Sequence, residues 1–215
     1  MGAKAANETR ASILESAKNL LRRHGNDKLT VTDIARSLGM SHANIYRFFK
    51  TKSAILDAII DEWLSKLESF VEEIARRDAS SAERIEAVVL DLHCKRKHKL
   101  LQDAEVFETY RRVIEVRPEV AARRRKKILQ VFKRLIEEGI QSGEFMPVNS
   151  LKAATVLKDA TSLFLHPLLI PTTLHEESET RARDVVRFIL ASFSSKPANG
   201  LAPRAQRRHS AALAR

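Results

Sequence analysis

The chain has 215 residues, enough for one large or two small globular units with a sizeable core. Hydrophobic residues make up 44% and charged residues 30%, while six glycines and six prolines supply too few turns for an all-β sandwich or barrel. The formal charge of +11 sits at the two ends: residues 1–53 carry ten basic and four acidic side chains, residues 54–195 carry 23 of each, and residues 196–215 carry five basic and none acidic. A neutral body with a basic N-terminal part suggests a polyanion partner for that part and a different task for the rest.

The single cysteine, Cys94, excludes an internal disulfide and suits a reducing compartment, so a cytoplasmic location is expected. The longest stretch free of Lys, Arg, Asp and Glu, residues 160–175, is interrupted by Pro167 and Pro171. It falls short of the ~20 residues a membrane helix needs, so no membrane association is expected. Met1 to Arg10 lacks an apolar secretory run, and Ala6 stands where a myristoylation signal wants Ser or Thr.

The first predicted element runs from about Thr9 to His24, with Ile13, Leu14, Ala17, Leu20 and Leu21 at helical spacing and Gly25 as its C-terminal cap. In Thr30-Val31-Thr32-Asp33 the Thr30 hydroxyl can cap the next helix, Val31 to Leu38, while Asp33 reaches back. Gly39 stops that helix, Ser41 caps a third from His42 to Phe49, and Thr51 caps a fourth reaching about Arg77. Beyond residue 54 the pattern stays helical, with breaks expected at Asp78 to Ser81, near Lys97, at Arg117-Pro118, at Gly143 to Asn149 and at Pro167 to Thr173. Ser80 with Glu83 forms a capping box, Pro118 suits a first helical turn, and Asn149 or Ser150 caps the segment leading to Leu169. The expected fold is all-α with about nine helices, divided into residues 1–53, 54–195 and a basic tail at 196–215 that is expected to be disordered.

On a helical wheel the third helix places Ile45, Phe48 and Phe49 on one side and Ala43, Asn44, Tyr46 and Arg47, next to His42, on the other. An amide, a phenol, a guanidinium and a methyl within four positions match what a major groove asks for. Asn44 can pair with adenine, Arg47 with guanine or phosphate, and Ala43 can pack on a thymine methyl. Tyr46 suits a phosphate at the rim. Lys52 at the start of the fourth helix would share a phosphate with the free amides there, and Thr32 could donate to the same backbone. The candidate DNA-binding residues are therefore Thr30, Thr32, Ser41, His42, Ala43, Asn44, Tyr46, Arg47 and Lys52.

Residues 9–57, with Thr30-Val31-Thr32-Asp33-Ile34-Ala35, Leu38-Gly39-Met40-Ser41 and Ile45-Tyr46-Arg47-Phe48-Phe49-Lys50-Thr51-Lys52, resemble the DNA-binding domain of TetR-type transcriptional repressors. Gly139 to Phe145 is similar to the linker that precedes the last two helices in that family. The resemblance implies a three-helix DNA-binding domain and a helical C-terminal domain with a ligand pocket. It also implies a homodimer built on helices near 151–169 and 176–194. The function expected is that of a repressor on a palindromic operator, released by a small-molecule effector, with no catalysis and no cofactor.

Several other constellations carry weaker signals. His93, Cys94 and His98 could serve a metal- or thiol-responsive sensor, but Lys95, Arg96, Lys97 and Lys99 oppose a bound cation. The run Arg123 to Lys127 wraps a predicted helix and is expected to be solvated, with Glu137 and Glu138 among the acids that could balance it. A pocket in the body would be mostly apolar with one or two orienting polar groups, for which Trp63, Phe107, Tyr110 and His166 are the candidates. Leu157, Thr161, Phe164, Leu165 and Leu168, and Val185, Val186, Phe188, Ile189 and Phe193, form apolar stripes too rich for a monomer to cover fully. The rival reading is a helical protein-interaction module without DNA function.

Overall fold

The structure, a computed structural model, describes residues 2–195, so the expected disordered tail at 196–215 lies outside the described residues. Within them the chain forms ten α-helices and one short 3-10 turn. The first three are α1 (Gly2–Lys28), α2 (Val31–Ser37) and α3 (His42–Phe48). Then come the long α4 (Lys52–Ala75), α5 (Ser81–Gln102), α6 (Ala104–Val116) and α7 (Pro118–Gln141). The chain closes with α8 (Ser150–Ala160), the single-turn α9 (Ser162–Leu165), the 3-10 turn Ile170–Thr173 and α10 (Ser178–Ala191).

The helix ends follow the expected chemistry. The Asp33, Asn44 and Ala54 amides donate to Thr30 Oγ1, Ser41 Oγ and Thr51 Oγ1 at 3.1, 3.2 and 3.1 Å. Ser80 and Glu83 close both halves of a capping box, and Asn149 Oδ1 accepts from the Lys152 amide at 2.9 Å. Gly39 takes a φ of 62°, the left-handed conformation that stops α2, whereas Gly25, at φ 75° and ψ 168°, kinks α1 rather than ending it as expected, the helix resuming to Lys28. Glu144 adds an unforeseen cap, its carboxylate accepting from the Ser81 and Ala82 amides at 2.7 and 2.9 Å at the positive end of α5.

Two apolar cores result, and α4 belongs to both. Ile13, Leu14, Ala17 and Leu21 of α1 pack with Ile34, Ala35 and Ile45 and with Ile55, Leu56 and Ile59 from the first turns of α4. From Ile60 onward α4 joins the larger core of α5 to α10. Val106 of α6 also enters the N-terminal core, so the two cores meet along α4 and α6.

Two expectations need correction, and a third, that the chain leaves part of the two apolar stripes open, holds for a small part of them. The break near Lys97 is absent: α5 continues to Gln102 because its cations are taken up by neighbours, Lys97 by Ser178 and Glu179 and Lys99 by Asp103. The run Arg123 to Lys127 is not simply solvated. Arg124 pairs with Glu68 and, at 3.4 Å, with Asp61, and Lys127 reaches Glu68 at 2.5 Å, so the run straps α7 to α4. Glu138 instead binds Arg84 at 2.7 Å and Glu137 binds Lys133 at 2.6 Å. The chain itself buries Leu157, Thr161, Phe164, Leu165, Val186 and Phe193. What stays open of the two stripes is mainly Phe188, beside half-buried Val185 and Ile189, with Val156 exposed on α8.

Candidate functional site

The N-terminal site is built by anchoring a short helix from behind. Ile45 is 0% exposed and Phe49 is buried beneath the Arg10 guanidinium, which lies 5.0 Å over its ring. With these pinned, α3 turns His42, Ala43, Tyr46 and Arg47 to solvent, while Asn44 and Phe48 are half-covered. The His42 and Tyr46 rings meet edge to face at 6.4 Å, which orders both along the open face. Thr30, Thr32 and Ser41 are exposed on the same side of the chain reversal. The Thr30 hydroxyl also donates to Asp33 at 2.6 Å, so Asp33 reaches the hydroxyl rather than the Thr30 amide that a full capping box would engage. Lys52 Nζ donates to the Asn26 carbonyl, which ties the start of α4 to the bend at Gly25 and leaves two ammonium hydrogens for an anion.

In the body, α4, α5 and α7 border a cavity of about 300 Å³ that opens to solvent past Lys127, Gln130 and Arg134 and has Leu64, Leu67, Val71, Leu92, Ile128 and Val131 as its apolar walls. A second, of about 180 Å³, lies between α6, α7 and the α8–α9 corner, with Tyr110, Leu165 and His166 among its walls. Arg96, Arg124 and Ile128 line both. Of the four pocket candidates, Tyr110 and His166 therefore come together. Trp63 stacks edge to face on Phe107 and Tyr110 at 5.9 and 5.3 Å, and opens on a separate groove with Cys94 and His98. Phe107, 0% exposed, is packing between them and lines neither of the two cavities.

Arg96 is the residue that the sequence reading missed. It sits one and two turns after Leu92 and Val89 on the apolar face of α5, and that periodicity, rather than the surrounding lysines, was its signal. His93 is also buried, with Nδ1 3.0 Å from the Phe164 carbonyl and Nε2 3.1 Å from Ser178 Oγ, so both ring nitrogens are already engaged. Burial and the neighbouring Glu179 push the Cys94 thiol up to about 11, far from a reactive thiolate. Among the described residues no group of three or more His, Cys, Asp or Glu is arranged to hold a metal.

A capped helix-turn-helix with an open, cation-bearing second helix, joined through α4 to a helical body with two cavities between its helices, defines a DNA-binding transcriptional regulator rather than an enzyme. Comparison with known proteins agrees. Residues 13–59 match the model of the bacterial regulatory proteins of the tetR family, and residues 81–186 match that of the tetracyclin repressor-like C-terminal domain. The chain is 31% identical over 157 residues to the uncharacterized HTH-type transcriptional regulator YfiR of Bacillus subtilis, covering 69% of this chain and 72% of that one. Its fold is similar to that of a TetR-family regulator from Pectobacterium atrosepticum, with a TM-score of 0.65 at 16% identity over 89% of this chain and 96% of that one. The SmeT–triclosan complex gives a TM-score of 0.64 at 18% identity, over 87% and 92%. The chain belongs to the TetR family of transcriptional regulators. No helix among the described residues is long and apolar enough to cross a membrane.

Proposed function

We propose that the protein is a homodimeric repressor in the cytoplasm that occupies a palindromic operator and leaves it when a small molecule fills the body. The observation that carries this reading is the face of α3, where Ala43, Tyr46 and Arg47 are open while Ile45 behind them is 0% exposed. Two such helices entering successive major grooves need centres ~34 to 36 Å apart, a distance that a dimer fixes. The open apolar residues of α8 and α10 are the surface for that dimer.

Release requires that the effector prefer a body shape that misfits DNA. Two helices carry such a preference to the DNA-binding part. α4 touches the operator side with its first turn and walls the cavity with Leu64, Leu67 and Val71. α6 presents Tyr110 to the second cavity and Val106 to the N-terminal core, and Asp103 just before it receives Arg22 of α1 at 2.9 Å. Filling either cavity displaces a helix that also holds α1. That SmeT, a protein of similar fold, forms a complex with triclosan supports a small-molecule effector for this fold.

The test compares operator with random DNA. Arg47→Ala and Asn44→Ala each reduce discrimination by about 1 to 3 kcal/mol, whereas Lys52→Ala weakens both duplexes alike. Affinity of the parent falls steeply with salt as phosphate counterions are released. If all three variants bind operator as the parent does, α3 is not the reading helix.

A further inference from the structure

We propose that the effector of the body site is an amphiphile with one carboxylate head, held by Arg96 where the two cavities meet, and with an apolar body lying along α4, α5 and α7. The inference rests on the repressor reading for its regulatory meaning, but the binding site stands on its own geometry.

Arg96 is only 6% exposed, yet no carboxylate among the described residues comes within ion-pair distance of it. Its one hydrogen bond runs from Nη1 to the Leu165 carbonyl, and its Nε is buried without a partner. Of the other cations of the cavity walls, Arg124 and Lys127 are compensated by Glu68, Arg134 by Glu72 at 2.8 Å and Lys158 by Asp159, while Arg125, which is exposed, meets only His166 at 3.3 Å. A buried, uncompensated guanidinium is costly, and burial pulls its pKa below the usual arginine value. A ligand carboxylate restores the missing partner and can accept from the guanidinium in the forked manner arginine favours.

The surroundings select the rest of the molecule. Tyr110, 1% exposed, lines the second cavity together with Arg96, and no hydrogen bond of its hydroxyl is found among the described residues. It is a second free donor for the same head. His166 is held toward its neutral form by burial and by Arg125 and Arg96, so it adds no fixed charge. One uncompensated buried cation calls for one negative charge, which favours a monocarboxylate over a phosphate dianion. The larger cavity offers aliphatic walls from Leu64, Leu67, Val71, Leu92, Ile128 and Val131, and its volume of about 300 Å³ sits at the lower edge of small-molecule pockets.

The test uses two matched pairs of probes on the full chain by calorimetry: decanoate against decan-1-ol, and 4-phenylbutyrate against 4-phenylbutan-1-ol. At least one carboxylate binds roughly ten- to a hundredfold more tightly than its alcohol, the range expected of hydrogen bonds to a charged group. Arg96→Met brings that carboxylate to the level of its alcohol and raises the melting temperature of the unliganded protein, because an unpaired buried charge has gone. Equal binding within both pairs, undiminished carboxylate binding by Arg96→Met, or no binding of either carboxylate overturns the proposal. Should Arg96→Met not fold, the matched pairs on the unaltered chain still decide. Retention of operator DNA is measured separately by fluorescence anisotropy. A chain that binds a carboxylate but no DNA refutes the repressor reading alone, and one that binds DNA but neither carboxylate refutes only the ligand.

Discussion

At the scale of single residues, Gly139 shows how a motif can be visible while its cause is not. The stretch from Gly139 to Phe145 reads in sequence as a linker, but Gly139 is needed because a Cβ there would lie 2.3 Å from Cδ2 of the Phe145 ring. That ring in turn packs edge to face on Phe193 at 5.0 Å, closing the C-terminal end of the body. Gly139→Ala is therefore expected to lower stability in urea unfolding by roughly 1 to 3 kcal/mol, the cost of overpacking a filled site. His93 makes a second prediction. Its burial lowers its pKa from the ordinary 6.5, against the pull of the Phe164 carbonyl, with Lys97 and Arg96 also lowering it and Glu179 raising it. The unfolded chain thus takes up a proton more readily than the folded one, so this contribution is full above pH ~6.5 and is lost as pH falls below it. The urea midpoint should fall between about pH 7.5 and 5.5, and His93→Gln should remove part of that slope, leaving the share of His166, which is lowered by burial in the same direction.

At the scale of elements, α6 is the junction that sequence periodicity could not reveal. Its apolar face was visible, but which side of it would meet which core depends on partners 40 to 100 residues away in the chain. In the structure the approach to α6 is fixed by Asp103, which binds Arg22 of α1 at 2.9 Å and Lys99 of α5 at 2.5 Å, and its outer side by Arg112, which binds Asp27 at 2.9 Å. Burial pushes the Asp103 carboxyl up, but the hydrogen bonds from Arg22 and Lys99 outweigh it and hold the group below its ordinary value. Asp103→Asn should cost about 1 to 3 kcal/mol in thermal or urea unfolding, as charged hydrogen bonds are exchanged for neutral ones. A nearby strut, Lys18 of α1 to Glu62 of α4 at 2.8 Å, behaves likewise. Hydrogen bonds from Lys18 and Lys66 lower the Glu62 pKa from 4.5 to about 2. Its contribution is present above pH 4.5 and fades as the pH falls toward about 2, so the α1–α4 contact should outlast ordinary carboxylate titration in acid.

At the scale of the whole molecule, the parts written locally were legible and those written by contact were not. Caps at Thr30, Ser41, Thr51, Ser80 and Asn149 depend on neighbours three residues away, and the helix-turn-helix could be drawn from them. The inward turn of Arg96 and the strap from Arg124 to Glu68 join helices far apart in sequence, and the basic runs concealed both. The same limit applied to the apolar stripes of the last helices, most of which their own chain covers. What is left is a sharper object: Phe188, 76% exposed on α10, with Val185 and Ile189 half-buried beside it. A phenylalanine so exposed on a helix that is otherwise well packed gains by meeting its own copy across a two-fold axis, because one patch then covers two. Phe188→Glu places like charges face to face in that contact. Analytical ultracentrifugation should find the parent as a dimer and the variant as a monomer at micromolar concentration, with the melting temperature of the parent, but not of the variant, rising with concentration. In the proposed homodimer the contact sets the spacing of two reading helices, so on that proposal the variant should also lose operator affinity while its helix content is unchanged. A Phe188→Glu protein that remains dimeric would move the interface away from α10.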